Sequence, residues 1–124
     1  MASQKPQAGR KGEDFTAELL VARGMRLHAR NYLSRWGEID IVASDSEYIC
    51  FVEVKTRKQN SMVTGEESVT TAKQRRIIRT ALCWLDAHNS PLQPRFDVCV
   101  VTTDRAGSII SHEYYDSAFD AEGY

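Results

Sequence analysis

The 124-residue sequence predicts a single α/β domain, a mixed β-sheet of about five strands flanked by helices, in the order α-β-β-β-α-β-β. Three observations carry this. Residues 38–43 and 48–55 are apolar on both faces through much of their length, as strands covered on both sides are. Residues 70–88 carry apolar side chains at helical spacing, and a near-continuous apolar strand, 96–102, follows them. A hairpin-linked trio of strands with helices before and after it implies a sheet packed between helices.

Residues 1–8 lack periodicity and contain Pro6, and they read as a disordered or loosely attached tail. Residues 9–24 read as a helix, with Phe15, Thr16, Ala17, Leu19 and Leu20 at helical spacing and Gly24 as its stop. A strand follows over 26–33, with Leu27, Ala29 and Tyr32 inward. The next two strands, 38–43 and 48–55, are separated by the turn-rich Ser44-Asp45-Ser46. Residues 59–65 are polar and irregular, a loop. In the long helix, Ile77, Ile78, Ala81, Leu82 and Leu85 form the expected buried stripe, and Asn89-Ser90-Pro91 ends it. After strand 96–102 come a shorter edge strand, 108–112, and a terminal turn at Ser117-Ala118-Phe119. One domain over 9–120 follows, with 121–124 a C-terminal tail.

Composition is that of a soluble globular protein, 42% hydrophobic and 27% charged. No apolar run approaches bilayer length, and the start Met1-Ala2-Ser3-Gln4-Lys5 has no signal-like apolar region, so the expectation is a cytoplasmic protein without a membrane partner. Cys50, Cys83 and Cys99 sit in apolar stretches without metal-ligand spacing and read as small core residues. His28, His88 and His112 form no zinc pattern. The net charge of −1 conceals an asymmetry: residues 1–79 hold 14 Lys/Arg against 10 Asp/Glu, the remainder 2 against 7. The first two-thirds suits a polyanion.

Charges inside the covered strands are the anomaly. Moving an unpaired carboxylate out of water is expensive, yet Glu38, Asp40, Glu53 and Lys55 all fall in or at the ends of strands 38–43 and 48–55. Side chains alternate along a strand, so Glu38 and Asp40 share a face, as do Glu53 and Lys55. In one hairpin register Asp40 faces Glu53 and Glu38 faces Lys55, with directly opposed Cβ atoms about 4.5–5.5 Å apart; a slip by one residue would put the pairs on opposite faces. Two such carboxylates repel unless a cation sits between them, and Mg²⁺ suits the arrangement because it binds oxygen through one or two carboxylates and keeps several waters. Lys55 would orient a nucleophile or offset developing negative charge. The other reading is structural: a Glu38–Lys55 cross-strand pair, with Asp40 and Glu53 at a solvated strand end.

The spacing from Asp40 to Glu53-Val54-Lys55 resembles the core of the PD-(D/E)xK, or restriction-endonuclease-like, superfamily. The longer string is similar to the YraN-like family of uncharacterised bacterial proteins, which resembles archaeal Holliday-junction resolvases. The residues that carry this are Gly12-Glu13 with Ala17 and Leu20, Asn31, Gly37-Glu38-Ile39-Asp40, Phe51-Val52-Glu53-Val54-Lys55 with Arg57, Val69-Thr70 with Lys73, Arg95-Phe96-Asp97-Val98, and the ending around Ser117-Ala118-Phe119. They span nearly the whole chain. The resemblance implies a restriction-endonuclease-like sheet, Asp40 and Glu53 as ligands of Mg²⁺ or Mn²⁺ with the Val54 carbonyl beside them, Lys55 as the catalytic lysine, and Glu13 as a further acid at the site. Glu13 shares a helical stripe with Thr16, Ala17 and Leu20, the side that faces the sheet; a first-turn acid also interacts favourably with the helix dipole. Where the family has an aromatic-glycine pair after Arg57, this chain has Met62 and Val63, with Gly65 nearby, so that loop is expected to differ in shape.

Nucleic-acid contacts are expected from Lys73 and Gln74, one turn before Ile77 and Ile78, and from Arg57, Lys58 and Arg76. Cations near a helix N-terminus oppose the macrodipole, which hints at a use other than stability. Such contacts give salt-dependent affinity without sequence reading. The expected function is metal-dependent endonuclease action on DNA, on branched or repair intermediates; the alternative is a nucleic-acid-binding protein that keeps the fold and cuts little. Symmetric cutting of two strands would favour a homodimer.

Overall fold

The computed structural model describes residues 7–60 and 69–121. They form α1 (Gln7–Ala22), β1 (Arg26–Ser34), β2 (Gly37–Ser44), β3 (Tyr48–Lys58), α2 (Thr71–His88), β4 (Gln93–Thr103) and β5 (Ile109–Phe119). The order is the one the sequence predicts. α1 starts at Gln7, two residues ahead of the expected helix. Met62, Val63 and Gly65, in the loop expected to differ in shape, lie outside the described residues. Among the described residues no helix is long and apolar enough to cross a membrane.

The five strands lie in one sheet in sequence order, antiparallel throughout except for the parallel pair β3–β4, which α2 connects. Each helix covers one face. Ala17 and Leu20 of α1 pack on Ile41, Ala43, Cys50, Val52, Cys99 and Val101. Ile77, Ile78, Ala81 and Trp84 of α2 pack on Val42, Ile49, Phe51 and Phe96 from the other side. Alternate residues of β2 and β3 therefore serve opposite cores, which is why both strands read as apolar on both faces. Burying each Val, Leu, Ile or Phe side chain among them contributes about 1.5–3 kcal/mol.

Three expectations are corrected. Leu82 is 55% exposed, and Trp84 takes its place in the buried stripe of α2. At about 100° per residue, 77, 81 and 84 fall within one arc and 82 falls outside it. Cys83, beside it, is half-buried rather than in the core, whereas Cys50 and Cys99 are buried. β5 runs on to Phe119, so Ser117-Ala118-Phe119 is strand rather than turn. What looked like a turn signal is a bulge opposite Phe96 and Val98, where Ser117 takes a left-handed backbone (φ 50°).

Two irregularities position the acids. The β2–β3 ladder runs from Ser44↔Ile49 to Ile41↔Val52 and ends there, in the register that sets Asp40 against Glu53. Beyond it β2 stays with β1 as far as Gly37, and β3 stays with β4 as far as Lys58. The sheet forks. The ladder thus does not extend to a Glu38–Lys55 pair, as an unbroken hairpin would have it. Next to the fork, Ile39 joins the α2 core while Ile41 serves the α1 core, out of phase with simple alternation. Between them lies Asp40, beside the β1 residue Asn31, whose φ of 52° is left-handed, a conformation that Asn tolerates better than most residues.

Candidate active site

At the fork Asp40 lies on one branch, and Glu53 and Lys55 on the other. The separation leaves the Val54 N–H facing the gap, and Asp40 Oδ2 accepts it at 2.8 Å. One bond thereby replaces a missing rung of the ladder and fixes the carboxylate. Both acids are nearly buried, at 5% and 6% exposure. Lys73 reaches in from the first turn of α2, its Nζ 2.6 Å from Glu53 Oε1, while Lys55 Nζ stands 3.6 Å from the same oxygen. Thr70 starts α2 as its N-cap, its side chain accepting the Lys73 N–H at 3.2 Å, and so sets where this lysine leaves the helix.

Asp40, Glu53 and Lys73 line two cavities. One, of about 270 Å³, lies toward α2 and is completed by Gly37, Glu38, Arg76 and Ile77. The other, of about 480 Å³, also has Glu13, Val54, Lys55, Arg57 and Lys58 in its wall. Glu13 is 2% exposed, and its Oε1 lies 3.9 Å from Arg30 Nη2. The close approach of α1 that brings it there runs over Gly12, where a Cβ would collide with Thr56 Oγ1.

The electrostatics follow from that crowding. Burial first, and the Asp40 charge second, push the Glu53 carboxyl up to about 7, against the pull of Lys73 and Lys55. Burial also lowers the Lys55 ammonium, helped by its hydrogen bond with Lys73, by more than Glu53 and Asp40 hold it up. Burial works on Lys73 in the same direction, but there the charge and hydrogen bond of Glu53 prevail and its affinity for the proton rises.

Two facing, nearly buried carboxylates, with two ammonium groups drawn to one oxygen of Glu53, make a place where positive charge is stabilised. The donor chemistry fits a hard divalent cation held by one or two carboxylates and water. Among the described residues no group of three or more His, Cys, Asp or Glu is gathered closely enough to hold an ion, so the fit is to a two-carboxylate site with Glu13 nearby.

The residues singled out in the sequence divide accordingly. Glu13, Asp40, Glu53, Val54, Lys55, Arg57, Lys58 and Lys73 meet at one cavity, and Arg76 lines its neighbour. Arg57 Nε also donates to Thr102 Oγ1 at 3.3 Å. Gln74 does not join them; its side-chain amide donates to the Val69 carbonyl at 3.2 Å. Lys73, expected to meet a phosphate, stands on Glu53 itself. The sequence contained the sign of that in its helical offset from Ile77, which places Lys73 on the sheet-facing side of α2. Arg30 beside Glu13 had no such signal, because strand β1 reads as ordinary and half-exposed.

Residues 12–101 match the model of a family described as "Uncharacterised protein family UPF0102". A UPF0102 protein of Syntrophotalea carbinolica is 42% identical over 125 residues, covering 100% of both chains. One of Nocardia farcinica is 42% identical over 110 residues, 87% of each chain. One of Symbiobacterium thermophilum is 47% identical over 96 residues, 77% of this chain and 81% of the relative.

Proposed function

The chain belongs to the uncharacterised protein family UPF0102, and on that footing we propose that it is a Mg²⁺- or Mn²⁺-dependent endonuclease that hydrolyses phosphodiester bonds of DNA, on branched or repair intermediates. The observation that carries this reading is the fork of β2 from β3, with Asp40 and Glu53 on facing branches and Lys55 and Lys73 converging on Glu53.

Asp40 and Glu53 would hold the ion, with Glu13 and the Val54 carbonyl as further oxygen donors; when bound, it supplies Lewis-acid polarisation of a phosphoryl oxygen and a lowered water pKa. Asp40 is preorganised by the Val54 N–H, so its charge needs no rearrangement as the reaction proceeds. Lys55, with its ammonium lowered by burial, is suited to orient a water and to donate to the oxygen on which charge develops. Lys73 pairs with Glu53 at 2.6 Å, and with an ion on that carboxylate its ammonium would be free to meet a phosphate. Arg57, Lys58 and Arg76 rim the two cavities and suit backbone phosphates, which position a strand without reading its bases.

The test offers the purified protein branched, nicked, single-stranded and linear DNA with Mg²⁺ or Mn²⁺. The expected result is cleavage that the Asp40→Ala/Glu53→Ala double variant lacks. Cleavage that survives in the double variant refutes the assignment. One observation favours a second reading, a nucleic-acid-binding protein that cuts little: the Lys73–Glu53 pair neutralises the acid without any metal. Calorimetric titration with Mn²⁺ separates the two, since only the enzyme requires carboxylate-dependent ion binding.

A further inference from the structure

A second feature lies beyond the acids, at the tip of the β1–β2 hairpin. There Arg35 and Trp36 make the turn between the paired Ser34 and Gly37. Trp36 is half-buried, while Arg35 and Arg79 are exposed. Both guanidiniums stand over the indole, with Cζ of Arg35 at 4.7 Å and of Arg79 at 4.6 Å from its ring centre. The hairpin tip is held on α2: Ser34 Oγ lies 2.8 Å from Thr80 Oγ1 and accepts the Trp36 N–H at 3.0 Å. The backbone that carries the indole is therefore fixed. Beside it a groove of about 720 Å³ is lined by Trp36, Arg79, Leu82 and Leu85, with Asp86 and Asn89 at its far end along α2, and Leu82 accounts for its exposed apolar wall.

The same helix connects this groove to the acids. Lys73, Arg76 and Arg79 follow one another at three-residue intervals along α2, and from Thr71 to Arg79 the helix has four cations and no acid. Arg76 and Gly37 line the cavity that holds Asp40 and Glu53, and the residues next to Gly37 and one turn after Arg76 line the groove. The path from Lys73 to Arg79 is about 9 Å along the helix axis. That length matches two or three stacked nucleotides at about 3.4 Å each.

We propose that Trp36, framed by Arg35 and Arg79, is a stacking platform for an unpaired nucleotide of the strand whose phosphate lies at Lys73 and Arg76. This rests on the reading of the acidic fork as a phosphodiester site and names the form of its substrate: a strand that is single-stranded within two or three nucleotides of the site. A base inside a duplex keeps its faces on its neighbours and has none to offer an indole, whereas an unpaired base stacks on aromatic and guanidinium planes. Cations alone would serve paired and unpaired strands alike; the aromatic surface among them makes the distinction.

The test is binding in EDTA, where no cleavage enters, of a labelled oligo(dT) and of a duplex of equal length. Oligo(dT) quenches the tryptophan emission of the wild type, and the quench is absent in Trp36→Phe, where only the buried Trp84 emits. Trp36→Ala weakens oligo(dT) binding roughly tenfold or more and leaves the duplex within about twofold. Its salt dependence is unchanged, whereas Arg79→Gln flattens it by about 0.7 in log–log slope, one phosphate contact on a single strand. Trp36→Phe, which keeps an aromatic ring and the hairpin, retains most of the affinity. Equal losses on both DNAs in Trp36→Ala, no loss on either, or a wild-type emission indifferent to oligo(dT) each overturn the proposal. Binding is read in EDTA and cleavage in Mg²⁺, so an absence of nuclease activity and an absence of stacking show up separately.

Discussion

Glu53 on β3 and Asp97 on β4 are buried acids on neighbouring strands, a residue out of step in the parallel register, yet their surroundings are opposite. Asp97 is saturated. Its two oxygens accept the Arg95 Nε and Nη2 donors at 3.0 Å, the Tyr114 hydroxyl at 2.6 Å and the Ser117 N–H at 3.0 Å. The left-handed backbone at Ser117 and the bulge in β5 serve to deliver that last donor. Glu53 faces another carboxylate across the fork, and its cations are two lysines that arrive from different elements. Each acid disturbs its neighbours: burial, then the Asp97 charge, push the Cys50 thiol up to about 12 and raise the Tyr114 phenol, whereas at the fork Glu53 itself is the shifted group. A buried acid therefore does not by itself mark a site. A like-charged partner at an opening in the sheet is what sets the fork apart as a candidate.

The sharpest way to break this contrast is the same substitution in both places. Asp97→Asn turns an amide donor toward donors whichever way it rotates, and leaves Arg95 without its counter-charge. The expected loss is about 3–5 kcal/mol in urea unfolding. Asp40→Asn keeps an acceptor for the Val54 N–H and removes the repulsion on Glu53, so in EDTA its cost is under about 1 kcal/mol or is reversed in sign. Equal losses at the two positions would mean that the fork is only another structural ion cluster.

The second effect concerns pH and the ion. The folded Glu53 carboxyl lies at about 7, above its ordinary 4.5. The protonated form is thus favoured by folding. Its contribution to stability is complete below about 4.5 and is lost as pH rises through about 7. A divalent ion selects the carboxylate, so its stabilisation is small at about pH 5.5 and large at about pH 8. At a hundred times its Kd an ion adds roughly 2.7 kcal/mol. Melting temperatures with and without Mn²⁺ at the two pH values read this directly, and a gain independent of pH would contradict it. Asp97→Asn should leave the difference between the two pH values intact.

The same contrast explains what could be read from the sequence. The order of elements along the chain and the acids were legible because apolar runs and alternation are local and because charges inside such runs are conspicuous. Asp40, Glu53 and Lys55 announced themselves by being out of place. The fork did not, since ending a ladder after Ile41↔Val52 depends on β1 and β4 holding their partners apart. Leu82 was misassigned for a similar reason: its place at the margin of the apolar arc depends on what the sheet covers. Asp97 stands in the string Arg95-Phe96-Asp97-Val98, but its clasp needs Tyr114 and Ser117 from β5, which no spacing announces. Trp36 carries no signal in the sequence, because the arginine over it from α2 lies 43 positions along the chain from it.

The smallest effect tests whether α1 belongs to the fork or merely covers the sheet. Gly12 is buried where the helix crosses β3, and an added methyl there meets Thr56 Oγ1 too closely, with Val54 Cγ1 at 3.5 Å and Thr56 Cβ at 3.7 Å. Either the Thr56 side chain or the helix must shift to admit it. Alanine's helix propensity returns about 1 kcal/mol of the overpacking cost, typically 1–3 kcal/mol. Gly12→Ala is therefore expected to cost about 0–2 kcal/mol of stability and to leave the Asp97 clasp untouched. It moves Glu13, the next residue, relative to Asp40 and Glu53, and a small displacement of a group at a reacting centre is felt more in rate than in folding. Cleavage should fall by up to about tenfold, with no matching loss in oligo(dT) binding. Full cleavage at unchanged stability would remove Glu13 from the site and leave the two strand acids to hold the ion alone.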